Sequence, residues 1–291
     1  MARTARLLLG LALLTIATAA PARTILFIGN SFTFGDKSAV RHYRPDLVTD
    51  LNGEGIGGVP ALVATFAREG GLDWRISLET SPGKPLWWHE ENRRTQIYRQ
   101  WDTVVLQGYS TLDPDRPGDA ARHIASAGRL AHLFRFANPR TEIDLVATWS
   151  RADLTYRPGG HWYGRPIEAM EEDLEAASAQ ALREVPDLAA IVPVGRAWTK
   201  AMHLGIADPD PYDGTSYGKI SLWSWDQYHA SNEGYYLEAL VLFGRLSGHD
   251  PRRLGATEEA ATALGLNPAI VTALQRVAYE TLATEPRTLR R

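Results

Sequence analysis

The stretch Thr24-Ile-Leu-Phe-Ile-Gly-Asn-Ser-Phe-Thr33 decides the fold of this 291-residue chain. Residues 24–28 are apolar and rich in strand-forming side chains, which is typical of a buried strand. Gly29, Asn30 and Ser31 follow directly, so a serine stands at the carboxyl end of the first strand. Ligands of parallel sheets bind at the carboxyl ends of the strands. The sequence therefore predicts a functional site at Ser31.

Four further short apolar runs repeat the strand pattern, and longer segments with helical spacing lie between them. The runs are 74–78, 103–107, 143–147 and 190–194, and the helical segments are 59–69, 119–137, 167–185, 233–247 and 257–283. Strands that alternate with helices indicate an α/β fold. We expect a central parallel sheet of about five strands with helices on both faces.

Charge and composition exclude several classes of function. The chain has 31 basic and 34 acidic residues with no long block of one sign, so no basic surface for nucleic acid is expected. With no cysteine, disulfides, a thiol nucleophile and cysteine-bound zinc are ruled out. The eight histidines never adopt the spacing of a zinc motif. We expect no metal and no cofactor, and the oligomeric state is left open.

The amino terminus has the pattern of an export signal. A basic start at 1–6 precedes an apolar run at 7–17 and small residues that end at Ala22. We expect residues 1–22 to be removed and residues 23–291 to form one domain, periplasmic or secreted. No later segment approaches the roughly 20 apolar residues that cross a bilayer, so no membrane contact is expected after cleavage.

A possible base for Ser31 lies far along the chain, at Asp226-Gln-Tyr-His229. A serine hydroxyl is a weak nucleophile unless a base removes its proton, and that base needs an acid to hold its tautomer. Asp226 and His229 are three residues apart, so one tight turn can bring the carboxylate to the imidazole. The alternative roles are a helix cap for Ser31 and plain turn residues for the other two.

Gly29-Asn30-Ser31 together with Asp226-x-x-His229 resembles the SGNH, or GDSL-like, hydrolase superfamily of serine esterases. The resemblance covers residues 24 to about 246. It implies a flavodoxin-like three-layer α/β/α sandwich and makes residues 23–291 a catalytic domain. It also implies that Ser31 is the nucleophile, His229 the base and Asp226 the acid.

The resemblance extends to the oxyanion hole, with one departure. The Ser31 backbone N–H and Gly83, in Ser81-Pro82-Gly83, match the first two donors by position. The third donor is an asparagine in the family pattern G-x-N-D, whereas Gly108-Tyr109-Ser110 has serine there. Either Gln107 or Ser110 can supply the missing side-chain donor, and we prefer Gln107.

Two other motifs compete with this interpretation. Gly214-Thr-Ser-Tyr-Gly218 has the G-x-S-x-G spacing of the α/β-hydrolase nucleophile, but turn residues rather than a strand precede it. Residues 53–58 have the G-x-G-x-x-G spacing of dinucleotide-binding proteins, but Pro45 and two aspartates interrupt the segment before them. We expect residues 36–58 to form a glycine-rich loop beside the active site.

Aromatic residues in presumed loops indicate the substrate. They are Trp87, Trp88, His161, Trp162, Tyr163, Trp223 and Trp225. Flat aromatic faces suit sugar rings, although the same residues can simply anchor loops in the core. We expect an esterase for short acyl groups, such as acetyl, on carbohydrate. The alternatives are a non-catalytic carbohydrate-binding protein on an esterase scaffold, and a lipase or acyltransferase that uses the same triad.

Overall fold

The computed structural model describes residues 22–284. Apart from Ala22, the export signal expected at residues 1–22 lies outside this part of the chain. None of the helices within 22–284 is both long and apolar enough to cross a membrane.

The centre of the molecule is a sheet of six strands, all parallel. In chain order the strands are β1 (Arg23–Gly29), β2 (Thr49–Asp50), β3 (Trp74–Thr80), β4 (Thr103–Gln107), β5 (Glu142–Ala147) and β6 (Ala190–Pro193). Their order across the sheet is β2-β3-β1-β4-β5-β6. The five predicted strands are confirmed. The sixth, β2, is a two-residue edge strand within the segment expected to be a loop, and it is too short for an apolar pattern to reveal.

Helices connect the strands. They are α1 (Ser31–Phe34), α2 (Gly58–Glu69), α3 (Leu86–Ile97), α4 (Ala121–Ala137), α5 (Ala152–Thr155), α6 (Glu168–Glu184), α7 (Val194–His203), α8 (Asn232–Ser247), α9 (Glu259–Ala263) and α10 (Pro268–Ala283). The long helix predicted over 257–283 is two helices, because Gly265 has a φ of 68° and Pro268 starts a new helix. The expectation of a loop around Trp87 is wrong, since α3 begins at Leu86.

The two faces of the sheet bury different residues, as the strand period of two requires. Leu26 and Ile28 of β1 pack in one core with residues of α3 and α4. Ile25 and Phe27 pack in the other core with residues of α2, α7, α8 and α10. The fold is therefore the expected three-layer α/β/α sandwich. α8 is buried on nearly all sides, between α2, α7 and α10.

The strand order places the site. β1 pairs with β3 on one side and with β4 on the other, so the connections leaving β1 and β3 run in opposite directions across the sheet. This reversal opens a crevice at the carboxyl ends of β1 and β4, where ligands of doubly wound sheets bind. Gly29 ends β1 and Gln107 ends β4, and both are followed by predicted site residues.

A buried carboxyl group on α6 makes stability depend on pH. Burial raises the pKa of Glu171 to about 7, although the Thr199 hydroxyl and Arg196 oppose the shift. The folded protein therefore keeps this proton up to about pH 7, whereas the unfolded chain releases it near its ordinary pKa of 4.5. Between these values the folded state binds more protons, so the contribution of Glu171 to stability is most favourable below pH 4.5 and falls as pH rises to about 7.

We expect Glu171→Gln to remove this dependence. Urea unfolding at pH 5 and pH 8 should show that the variant loses about 1–3 kcal/mol less stability than the wild type over this range. Glu172→Gln, on the exposed side of the same helix, is the control and should follow the wild type. Equal losses in Glu171→Gln and wild type would show that Glu171 ionises normally.

Candidate active site

Ser31 is the first residue of α1 and follows β1 after one intervening residue. Asn30 caps this helix, and its Oδ1 accepts a hydrogen bond from the Phe32 N–H at 3.2 Å. The cap turns the chain sharply and leaves the Ser31 N–H at a position without an intrahelical acceptor. The turn from Asn30 to Phe34, which we call the nucleophile turn, thus presents both a hydroxyl and a free backbone donor.

The side chain of Gln107 holds the nucleophile turn. Its Oε1 accepts hydrogen bonds from the Asn30 N–H at 2.9 Å and from the Thr33 hydroxyl at 3.0 Å. Its Nε2 donates to the Gly108 carbonyl. A Cβ on Gly29 would lie 2.0 Å from Thr33 Oγ1 and 2.7 Å from this Oε1, so glycine leaves room for the nucleophile turn to fold back onto the end of β1.

Asn30 extends the same network to a third strand. Its Nδ2 donates to the Gly108 carbonyl at 3.0 Å and to the Lys84 carbonyl at 3.2 Å. The Ser81 N–H donates to the Gly29 carbonyl at 3.1 Å. The loops after β3 and β4 are therefore both bonded to the end of β1. Two amide side chains set the geometry of three strand ends.

Asp226 and His229 lie in the long loop between α7 and α8, and one tight turn joins them. Asp226 Oδ2 accepts a hydrogen bond from His229 Nδ1 at 2.6 Å. Its Oδ1 accepts from the backbone N–H groups of Tyr228 at 3.1 Å and His229 at 2.9 Å. Gln227 closes the turn in the left-handed region, with a φ of 53°. We call residues 226–229 the base turn.

The hydrogen bonds to Asp226 favour its ionised form. Burial alone would raise the pKa of the carboxyl group, but the hydrogen bonds from His229 and from the two backbone N–H groups outweigh it and lower the pKa. The group is therefore an anion at neutral pH. An anion bonded to Nδ1 fixes the tautomer that leaves Nε2 as the free nitrogen.

The nucleophile turn and the base turn pack against each other. The rings of Phe32 and His229 meet edge to face with centroids 5.8 Å apart, and Phe32 also stacks on Trp149 at 4.0 Å. The Tyr235 hydroxyl donates to the Ser31 carbonyl at 3.2 Å. Within residues 22–284, no hydrogen bond joins Ser31 Oγ to His229 Nε2. Such bonds are often long in unliganded enzymes and shorten when substrate binds.

A second carboxylate stands near the base. Asp36 Oδ2 lies 3.9 Å from His229 Nε2, and its other oxygen is bonded by Arg41 at 3.0 Å. The sequence analysis missed Asp36, because no motif marks it and its place follows only from the bend after α1.

The candidate oxyanion donors differ in the hydrogen bonds that they already make. Gly83 lies in the loop after β3 with a φ of 61°, and none of residues 22–284 accepts a hydrogen bond from its N–H. The amide of Gln107 is instead engaged with the nucleophile turn and the Gly108 carbonyl. Ser110 is buried, and its Oγ accepts a hydrogen bond from Arg151 at 3.2 Å, which leaves its proton available. This placement favours Ser110 over Gln107, which the sequence analysis preferred.

Neither competing motif has the surroundings that its chemistry needs. Ser216 lies in an exposed loop without a preceding strand or a following helix, and its N–H donates to Asp208 Oδ2 at 2.7 Å. In the glycine-rich segment, the Asp50 carboxylate accepts the N–H groups of Asn52, Glu54 and Ile56 at 2.8–3.2 Å. A phosphate would need those same donors, and an aspartate already occupies them.

Three of the seven candidate sugar-binding aromatics are core residues. Trp87, Trp162 and Trp223 are at most 7% exposed. Trp225 is 74% exposed, immediately before Asp226, and Lys37 Nζ lies 5.8 Å from its ring centroid. Tyr163 is 54% exposed. Only Trp225 among these therefore offers an open aromatic face next to the base turn.

Comparison with known proteins identifies the fold. No protein-family model and no curated protein matches the sequence. A DUF4886 family protein from Bacteroides uniformis is similar in structure, with a TM-score of 0.62 and 19% identity over 91% of this chain and 96% of that chain. A protein from Parabacteroides merdae described as a GDSL-like lipase has a TM-score of 0.56 and 20% identity over 78% of this chain and 95% of that chain. The resemblance to GDSL-like hydrolases is confirmed at the level of the fold.

The placement of Gln107 can be tested through stability. Gln107→Met removes the acceptor of two buried donors, the Asn30 N–H and the Thr33 hydroxyl, so we expect a loss of about 2–4 kcal/mol in the free energy of unfolding. Urea denaturation measures it. Gln180→Met, on the exposed side of α6, should change stability by less than about 0.5 kcal/mol. If Gln107→Met is as stable as the control, the amide does not hold the nucleophile turn.

Proposed function

We propose that this chain, which has the fold of the SGNH hydrolases, is a serine esterase whose triad is Ser31, His229 and Asp226. One observation carries the proposal. The Asp226 carboxylate occupies His229 Nδ1 at 2.6 Å, on a turn that packs against the residue after Ser31. A serine at a strand end, a histidine with one free nitrogen and a half-buried acid that orients the histidine are the parts that acyl transfer requires.

In the first step, Ser31 Oγ attacks the carbonyl carbon of the ester while His229 Nε2 takes its proton. Asp226 keeps Nδ1 protonated and stabilises the imidazolium that forms. The charge that develops on the carbonyl oxygen is received by the N–H groups of Ser31 and Gly83 and by the Ser110 hydroxyl. His229 then gives the proton to the departing alcohol, which leaves an acyl group on Ser31.

In the second step, water attacks the acyl group. His229 Nε2 takes a proton from the water and then returns one to Ser31 Oγ, which frees the acid. The same donors stabilise the second tetrahedral intermediate. A sugar hydroxyl in place of water would make the reaction an acyl transfer, with the same residues in the same roles.

One feature supports a carbohydrate as the alcohol part of the ester. The exposed face of Trp225 adjoins Asp226 and suits a sugar ring. On such a substrate we propose a short acyl group, such as acetyl. The export pattern of residues 1–22 favours a periplasmic or secreted esterase.

The proposal predicts that the purified protein hydrolyses p-nitrophenyl acetate and that Ser31→Ala lowers kcat by about 10³-fold or more. Ser216→Ala is the matched control, because it removes the serine of the competing G-x-S-x-G motif. It should retain wild-type activity. Absorbance assays with the p-nitrophenyl esters of acetate, butyrate and decanoate measure kcat for each variant and the preferred acyl length. The acetate ester should be preferred.

The other outcomes each select a different function. Loss of activity in Ser216→Ala with retention in Ser31→Ala would make Ser216 the nucleophile. A preference for decanoate would favour a lipase. Binding of an acetylated oligosaccharide without any hydrolysis, measured by calorimetry, would favour the non-catalytic alternative.

A further inference from the structure

Arg151 occupies an unusual position behind the proposed oxyanion hole. It follows β5 by four residues, and its side chain is only 13% exposed. Its guanidinium bonds Asp153 with two hydrogen bonds, at 3.0 and 2.6 Å. Burial opposes the charge, but the hydrogen bonds that Arg151 donates to the Asp153 carboxylate outweigh it, so the pKa of Arg151 is raised and the group stays a cation.

A third N–H of the Arg151 guanidinium reaches Ser110. Its Nη1 donates to Ser110 Oγ at 3.2 Å. A guanidinium has donors only and accepts no hydrogen bond, so at this contact the serine oxygen must be the acceptor. The serine proton is thereby free to point elsewhere, and a cation next to the oxygen makes this proton a stronger donor.

The flat face of Arg151 joins the same group to the base turn. Its Cζ lies 3.5 Å from the ring centroid of Tyr228, the residue before His229. Two further bonds hold the base turn to the segment around Arg151, namely Asp153 N–H to the Gln227 carbonyl at 3.2 Å and Trp149 Nε1 to the Tyr228 carbonyl at 3.2 Å. One side chain therefore contacts both the oxyanion donor and the turn that carries the base.

We infer that Arg151 is a positioning residue that converts Ser110 into the side-chain oxyanion donor and so replaces the asparagine absent from this chain. This inference rests on the esterase proposed above. A lone serine hydroxyl rotates freely and can accept as readily as it donates. With Arg151 on its oxygen, the hydroxyl donates towards the crevice at the carboxyl ends of β1 and β4.

A double-mutant cycle tests the inference on the full-length mature protein with p-nitrophenyl acetate. Ser110→Ala and Arg151→Met should each lower kcat by about 10-fold or more and leave KM within about two-fold, because an oxyanion donor acts on the transition state. In the Ser110→Ala background, Arg151→Met should lower kcat by less than about two-fold further. Residues that act as one unit do not add their losses.

The matched control is Arg252→Met. Arg252 also donates hydrogen bonds from its Nε and Nη2 to an aspartate, Asp250, and its Cζ lies 3.4 Å from the ring centroid of Tyr279. It follows the far end of α8, a helix about 24 Å long that begins beside the base turn. The control should keep the wild-type kcat. This result would show that removing an arginine stacked on a tyrosine does not by itself lower kcat, so that the loss in Arg151→Met arises at the site.

Each other result contradicts the inference. Wild-type kcat in Ser110→Ala overturns it even if Arg151→Met fails to fold, because Arg151 then has no donor to position. An equal loss from Arg151→Met in both backgrounds places its effect on the base turn instead. Hydrolysis that depends on Ser31 but not on Arg151 overturns this inference alone, whereas wild-type activity in Ser31→Ala overturns the esterase proposal and the inference with it.

Discussion

The site depends on one buried amide oxygen, Gln107 Oε1 at the end of β4. It accepts the Asn30 N–H and the Thr33 hydroxyl, and so fixes the turn that presents Ser31 relative to the neighbouring strand. A side-chain acceptor is needed there because the chain leaves β1 too sharply for the sheet to satisfy these donors. Glycine at residue 29 leaves room for both partners of this contact, since a Cβ there would lie 2.0 Å from Thr33 Oγ1 and 2.7 Å from Gln107 Oε1.

Around this contact, four loops supply the parts of the proposed mechanism. The loop after β1 carries Ser31, the loop after β3 carries Gly83, the loop after β4 carries Ser110, and the segment after β5 carries Arg151. The base turn, from the loop before α8, closes the set. Phe32 stacks on Trp149, and Trp149 stacks on Trp198 at 4.6 Å, so an aromatic column runs from the nucleophile turn into the core. Packing of this kind holds catalytic groups in place before substrate arrives.

The sequence predicted most of the elements that have strong periodicity, but it missed α7, although the apolar residues of that helix recur at helical spacing. The other missed elements have no such periodicity. The five long strands, α2, α4, α6 and α8 all have a regular apolar pattern, and the motifs at both ends of the chain placed Ser31, Asp226 and His229 in turns. β2 has two residues, and α3 has two tryptophans followed by a polar run, so neither shows a pattern. The sequence could not show that the Gln107 amide bonds Asn30 and Thr33, because these partners come together only when β1 and β4 are paired. Arg151 belongs to no motif, although its position just after a parallel strand is where site residues gather.

The central claim is that the serine at the end of β1 is the one that the surrounding network activates. Labelling with a fluorophosphonate tests this most directly, because an activated serine displaces fluoride and keeps the phosphonyl group, which peptide mass spectrometry then locates. The account predicts one adduct per chain, on the peptide that contains Ser31, and no adduct in His229→Ala. An adduct on Ser216, or labelling of Ser31 that persists without His229, would contradict it.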